Sequence, residues 1–191
     1  MPKDGYYTSH LGEKIAHYSV EFPDLAEKTD IAIIGVLDDR NAINNPGCAL
    51  GPDYVREKLY LLFEVAYKTK IADMGNIRQG ASITDTYFAV KTVVHELIKK
   101  NIVPVIIGGG QDITYAQYMA YEDMEQKVDL VVIDPRFDLD EDGSIDSLET
   151  NSTSYLNKIF LHEPNYLFNF SNLGYQTYFS SQESLRVMDK L

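Results

Sequence analysis

The strongest constraint on the fold is a set of short, uninterrupted apolar runs separated by stretches with helical spacing. The runs "DIAIIGV", "IVPVIIG" and "VDLVVID" contain few interior polar residues, which is typical of strands buried on both faces. Between the runs, apolar residues recur every three or four positions. This alternation predicts an α/β fold, in which a mostly parallel sheet lies between two layers of helices.

We predict strands at residues 30–36, 67–75, 102–108, 128–134 and 165–171, and helices at 51–65, 82–101, 113–124, 153–162 and 181–191. Pro52 suits the first turn of its helix, where its missing N–H costs nothing. Val55, Leu59 and Leu62 would form the apolar face of that helix. Residues 1–29 have no clear period, and we expect them to be irregular and to wrap the surface of a single domain, residues 1–191.

The charge balance excludes several classes of partner. The 29 acidic residues outnumber 17 basic ones, for a net charge of −12. Nucleic acid and anionic membranes would repel such a chain. A single cysteine, Cys48, rules out an intrachain disulfide, and no run approaches the roughly 20 apolar residues of a membrane span. We therefore predict a cytoplasmic protein with no nucleic acid or membrane partner.

Three consecutive glycines, Gly108, Gly109 and Gly110, follow the predicted strand at 102–108. They have three possible roles: a phosphate cradle, a tight turn, or a turn that presents a functional residue. The fuller nucleotide-binding patterns are absent, and Asp112 would repel phosphate.

Asp134 and Asp138 stand at the end of another predicted strand. Paired carboxylates in this position often hold divalent cations, but Asp134 would also suit a turn before Pro135. Ligands of parallel α/β folds bind at the carboxyl ends of the strands. We therefore expect residues 108–112 and 134–138 to be neighbours.

These stretches resemble the ureohydrolases, the family of arginase, agmatinase and formimidoylglutamase. "VIIGGGQDITY" is similar to the family's strand–Gly-Gly-Asp-His-Ser motif, and "VVIDPRFDL" to its strand–Asp-Ala-His-x-Asp motif. "GCALGPDYVREKL", "DMGNI" and "FNFSNLGYQTYF" match further family segments in the same order. The resemblance covers most of residues 30–180 and implies an arginase-like fold. It also implies two manganese ions, whose bridging hydroxide attacks a guanidino or formimino carbon.

The family's metal positions fall on Gln111, Asp134, Arg136 and Asp138 in this chain. Gln111 and Arg136 replace the two histidines, and an arginine cannot ligate a metal. The family's last motif, Ser-x-Asp-x-Asp, is missing before Leu191. The resemblance thus implies a divergent, truncated member that lacks the family's last third.

Two functional hypotheses follow from these replacements. In the first, the dimanganese site is degenerate and the chain is inactive as a ureohydrolase. Arg136 would then pair with Asp134 or Asp138 in the space of the metals. In the second, the chain is a metal-dependent C–N hydrolase that acts on a guanidino or formimino small-molecule substrate through an unusual metal arrangement. Strand edges left open without the last segment favour self-association.

A second pattern overlaps the second motif. Residues 138–149 place carboxylates at EF-hand loop positions 1, 3, 5, 9 and 12, with a glycine at position 6. The carboxylates are Asp138, Asp140, Asp142, Asp146 and Glu149. The pattern predicts a single calcium site, although a solvated acidic loop would look similar, because a strand and Pro135 precede it instead of a helix.

Overall fold

A computed structural model describes residues 9–17, 25, 29–64, 68–139 and 150–190. Its strands are β1 (Ala16–His17), β2 (Ile31–Leu37), β3 (Ile71–Arg78), β4 (Val103–Ile107), β5 (Val128–Ile133) and β6 (Leu167–Leu173). Its helices are α1 (Leu11–Lys14), α2 (Gly51–Leu59), α3 (Ile83–Lys99), α4 (Ile113–Glu122), α5 (Tyr155–Phe160) and α6 (Gln182–Met188). Two 3-10 turns, Cys48–Leu50 and Thr177–Phe179, complete the set of described elements.

The strands form two parallel sheets. The first has the order β1-β3-β2-β4, and the second consists of β5 and β6. All the strand pairs within them are parallel, which confirms the predicted α/β class. The described strands do not form the single sheet that the sequence led us to expect, because β4 and β5 do not pair with each other.

Helix α4 packs on one face of both sheets. With α3, it forms an apolar core against the first sheet, in which Ile113 and Ala116 contact buried Val36 of β2. Tyr118 of the same helix belongs to a second core, with Val132 of β5 and with α5. This helix therefore connects the two sheets.

Helix α2 is shorter than predicted, and its buried face is a different one. It ends at Leu59 rather than at residue 65, and Val55 and Leu62 are exposed. The helix instead buries Pro52 and Arg56, because Arg56 has ionic and polar partners beneath it.

The other element ends shift by a few residues from the predicted ones, most clearly in β3, which runs to Arg78. The described part of residues 1–29 is not wholly irregular, since β1 pairs with β3 at the edge of the first sheet. Within the described residues, no helix has the length and apolarity that a membrane span requires.

A buried ion pair joins α2 to β3. Arg56 donates from Nε to Asp73 Oδ2 at 2.7 Å and from Nη2 to Asp73 Oδ1 at 3.0 Å, and both side chains are about 95% buried. The guanidinium also donates to Asn76 Oδ1 and to the carbonyl of Gly75, while the Tyr60 hydroxyl donates to Asp73. The charge of each partner is therefore fully compensated inside the protein.

Replacing Asp73 with Asn should lower the free energy of unfolding by about 3 kcal/mol, because it leaves the buried guanidinium with only the exposed carboxylate of Asp53, 3.6 Å away. Urea denaturation would measure the loss. Glu64→Gln is the control, because it removes the exposed Lys14–Glu64 pair and should cost less than about 1 kcal/mol. Equal effects of the two substitutions would contradict the structural role of the buried pair.

Candidate functional site

The carboxyl ends of β4 and β5 meet at a direct side-chain contact. Gln111 follows β4, and its Nε2 donates to Asp134 Oδ2 at 3.0 Å, just after β5. The same nitrogen lies 3.3 Å from the hydroxyl of Tyr155 on α5. The structure thus brings the two predicted stretches together, and it does so through their side chains.

The glycine turn after β4 is required by a close approach of two backbones. Gly110 N donates to the carbonyl oxygen of Asp38, which follows β2, at 3.0 Å. A Cβ on Gly109 would lie 1.9 Å from that oxygen, far inside van der Waals contact. Of the three roles considered, this geometry supports a tight turn that also positions Gln111.

Gly110 leaves space for the side-chain carboxylate of Asp112. A Cβ on Gly110 would lie 2.0 Å from Asp112 Oδ1. Asp112 is 2% exposed; its Oδ2 accepts from the Tyr87 hydroxyl at 2.5 Å, and its Oδ1 has no partner among the described residues. Burial raises the pKa of this carboxyl.

Aligned on the Gly-Gly-Asp-His-Ser motif, the acidic position is Gly110 and the serine position is Asp112. The motif's acidic residue is therefore absent at position 110, and an acidic residue stands at position 112 instead. This relation was not predicted, although the two departures from one motif signal it.

Asp134 caps the turn that follows β5. Its Oδ1 accepts from the backbone N–H of Arg136 at 2.7 Å, so each carboxylate oxygen has a hydrogen-bond donor. The Arg136 guanidinium instead lies over the ring of Phe179, 5.6 Å from its centre. The predicted ion pair with Asp134 or Asp138 is therefore wrong, as far as the described residues extend.

Asp138 is buried beside this cluster. It is 5% exposed, and its Oδ2 has no hydrogen-bond partner among the residues described. Burial and the neighbouring charge of Asp134 raise its pKa to about 7, against a smaller opposing effect of Arg136. Gln111, Asp134, Arg136 and Asp138 share the wall of an open cavity of about 260 Å³.

The described residues assemble no group of ligand-type side chains at these positions. No three side chains of His, Cys, Asp or Glu among them come close enough together to hold a metal ion. Gln111 turns its amide nitrogen, a donor, toward Asp134, whereas a metal needs lone pairs. The calcium-loop residues Asp140, Asp142, Asp146 and Glu149 lie outside the described residues.

A further buried carboxylate, Asp38, supports the same end of the sheet and was not predicted. Asp38 accepts from Arg40 Nε at 3.0 Å and Nη2 at 2.6 Å, and from the Thr86 hydroxyl at 2.6 Å. Burial acts to raise the pKa of Asp38, but these donors outweigh it and lower the pKa. The network holds the backbone against which Gly109 packs.

The neighbouring glycines provide a matched test of the turn. Gly109→Ala should lower the free energy of unfolding by about 2 kcal/mol or more, because the new methyl group overlaps the Asp38 carbonyl. In Gly108→Ala, the nearest atom to the new Cβ is 3.6 Å away, so we expect only a small change. Thermal and urea denaturation would compare them, and equal stability of the two variants would refute the close-approach explanation.

Asp138 should make stability depend on pH. Because its pKa is raised to about 7 in the folded protein, the folded state binds more protons than the unfolded state between the two pKa values. The stability of the parent protein relative to Asp138→Asn should therefore fall by about 4 kcal/mol as the pH rises from 4 to 8. Urea denaturation at several pH values would measure this, with the exposed Asp189→Asn as control; parallel curves for all three proteins would contradict it.

Comparison with known proteins extends over most of the chain. The arginase family model matches residues 29–181. Formimidoylglutamase of Macrococcus caseolyticus is 34% identical over 128 residues, which cover 61% of this chain and 39% of that protein. The chain therefore spans well under half of that relative's length.

Two solved structures share the fold. Formimidoylglutamase of Bacillus subtilis matches 100% of this chain and 61% of its own, with a TM-score of 0.80 at 17% identity. Formiminoglutamase of Trypanosoma cruzi, solved with Mn²⁺, matches 86% of this chain and 58% of its own, with a TM-score of 0.73 at 20% identity. The family match, the order of the strand-end motifs and the shared fold lead to one conclusion: this chain belongs to the arginase family.

Proposed function

We propose that this chain is an arginase-family protein whose dimanganese site is degenerate, and that it is inactive as a ureohydrolase in this form. The observation that carries the proposal is the hydrogen bonding of Asp134. One of its oxygens accepts from the Gln111 amide and the other from the Arg136 backbone N–H. Gln111 thus presents an N–H donor to Asp134 at the position where the family has a histidine ligand, so a metal at Asp134 would meet a donor where it needs a lone pair.

The remaining carboxylate supports the same proposal. Asp138 is buried, and its raised pKa keeps a large part of it protonated near neutral pH. A protonated carboxyl is a poor metal ligand, so a cation would have to displace its proton. The positive charge of Arg136 in the same cavity further opposes a divalent ion.

The alternative is a metal-dependent C–N hydrolase that acts on a guanidino or formimino substrate. Two observations favour it: Asp134 and Asp138 line one open cavity, and the T. cruzi relative is described with Mn²⁺. Because the chain spans 39% of the Macrococcus formimidoylglutamase, ligands supplied by further polypeptide would be needed for this function.

Metal binding and turnover distinguish the two proposals. The purified chain should take up no stoichiometric Mn²⁺ by calorimetry and elemental analysis, and should release no urea or formamide from arginine, agmatine or formiminoglutamate. The double variant Gln111→His/Arg136→His restores the two imidazoles and should raise Mn²⁺ affinity at least about tenfold. Gln126→His is the control, because it adds a histidine outside the cavity.

Stoichiometric Mn²⁺ with turnover in the parent chain would establish the alternative and overturn the degenerate site. Failure of the double variant to gain affinity would show that the two replacements are not what prevents manganese from binding.

The same measurements with Ca²⁺ in place of Mn²⁺ test the acidic loop, residues 138–149. We propose that a single Ca²⁺ binds through Asp138, Asp140, Asp142, Asp146 and Glu149, which occupy EF-hand positions in the sequence, and that its binding displaces the proton of Asp138. Calcium should then raise the melting temperature of the parent, and Glu149→Gln should abolish the rise by removing the bidentate ligand. Absence of any calcium effect in the parent would end this hypothesis.

A further inference from the structure

A second cavity, of about 610 Å³, lies among the helices α3, α4 and α5. In the part of the chain that the structure describes, its walls come from these helices and from two loop residues, Asn41 and Thr150, and no strand contributes to them. It shares no wall residue with the cavity that holds Gln111 and Asp134. Its volume is typical of small-molecule sites, which range from about 300 to 1,000 Å³.

This helical cavity carries positive charge in an acidic protein. Lys91 of α3 and Lys158 of α5 line it, and none of the described residues in its walls is acidic. The chain as a whole has a net charge of −12, so the two ammonium groups are a local exception. A concave site with this charge favours an anion over a neutral or cationic ligand.

The two lysines differ in their partners. Lys91 Nζ lies 2.8 Å from Asp123 Oδ1, at the end of α4. The Lys158 side chain is half-buried, yet no described residue forms a hydrogen bond or an ion pair with it. A partly buried ammonium group without a counter-ion is unfavourable. Lys158 is therefore the group whose charge a bound anion would neutralise.

The rest of the wall is largely aromatic and apolar. The rings of Tyr87 and Tyr115 meet edge to face, with their centres 6.3 Å apart, and Met119 lies one turn along α4 from Tyr115. Phe88 of α3 also lines the cavity and is 65% exposed. Aromatic rings and a thioether form a surface on which a planar ring packs favourably.

The two tyrosine rings are held in place by contacts inside the protein. The Tyr87 hydroxyl donates to Asp112 Oδ2 at 2.5 Å. The Tyr115 hydroxyl lies 3.2 Å from His162 Nδ1, and the other nitrogen of that imidazole lies 2.9 Å from Glu122 Oε2. A wall that is already ordered loses little conformational freedom when a ligand binds, which favours binding.

We propose that the helical cavity binds a small organic anion, a planar ring that carries a carboxylate or phosphate group. The acidic group contacts Lys158, and the ring packs against Tyr115, Met119 and the exposed face of Phe88. An inorganic anion would leave the aromatic wall uncovered, and a neutral ring would leave Lys158 unpaired. The inference does not depend on whether Asp134 and Asp138 hold a metal.

Methionine methyl NMR reports binding at this cavity directly. Met119 lines the cavity, whereas Met74 is buried in the core of the first sheet and serves as an internal reference. We expect phenyl phosphate to shift the Met119 signal, assigned with Met119→Leu, with a Kd of about 1 mM or below, and to leave Met74 unmoved. Benzyl alcohol keeps a ring without the charge, and its Kd should be at least about tenfold higher.

Benzoate distinguishes the two acidic groups. Tighter binding of benzoate than of phenyl phosphate would assign the ligand as a carboxylate, and the reverse order would assign it as a phosphate. If neither anion moves the Met119 signal at concentrations up to about 10 mM, the proposal is wrong.

A pair of charge-matched variants tests the role of Lys158. Lys158→Gln should raise the Kd of phenyl phosphate at least about tenfold, because it removes the unpaired ammonium group. Lys100→Gln removes the same charge at the exposed end of α3, outside the cavity, and should leave the Kd unchanged. An unshifted Met74 signal in each variant verifies the fold. Equal weakening by the two substitutions would show that only the net charge matters and would overturn the assigned site.

Discussion

The buried pair between Arg56 and Asp73 determines how the first sheet is assembled. The guanidinium contacts the carboxylate, an amide and a backbone carbonyl in the middle of β3, and these contacts tie α2 to this strand. Tyr60 lies immediately after α2. Its hydroxyl donates to the same carboxylate, and its backbone carbonyl accepts from the N–H of Gly12. One charge pair thus connects α2, β3 and the segment that carries α1 and β1. A buried charge with this many partners specifies geometry as well as contributing stability.

The fold class could be predicted because its cause is local. Apolar runs such as that of β2 can be buried on both faces only in a covered parallel sheet, and the alternation with helices fixes the class. The face of α2 was predicted wrongly because hydrophobic spacing does not reveal a buried arginine, whose partner lies 17 residues away. The division into two sheets could not be predicted, because pairing between strands is a contact between residues distant in sequence.

The candidate site could be predicted in position but not in contacts. The rule that strand ends converge placed Gln111 near Asp134, and the hydrogen bond between them is consistent with it. The orientation of Arg136 could not be derived, because its neighbour Phe179 is distant in sequence. The protonation of Asp138 also depends on burial, which the sequence of a loop residue does not indicate.

The glycine at position 110 and the aspartate at position 112 limit how this turn can change in evolution. Asp112 Oδ1 occupies the space that any side chain at position 110 would enter. A side chain at position 110 therefore requires either that the Asp112 carboxylate moves or that position 112 becomes smaller. A smaller residue at position 112 would remove a buried carboxylate and leave the Tyr87 hydroxyl with only the distant carbonyl of Thr150 as acceptor. The residue at position 112 thus decides which side chain position 110 can accept.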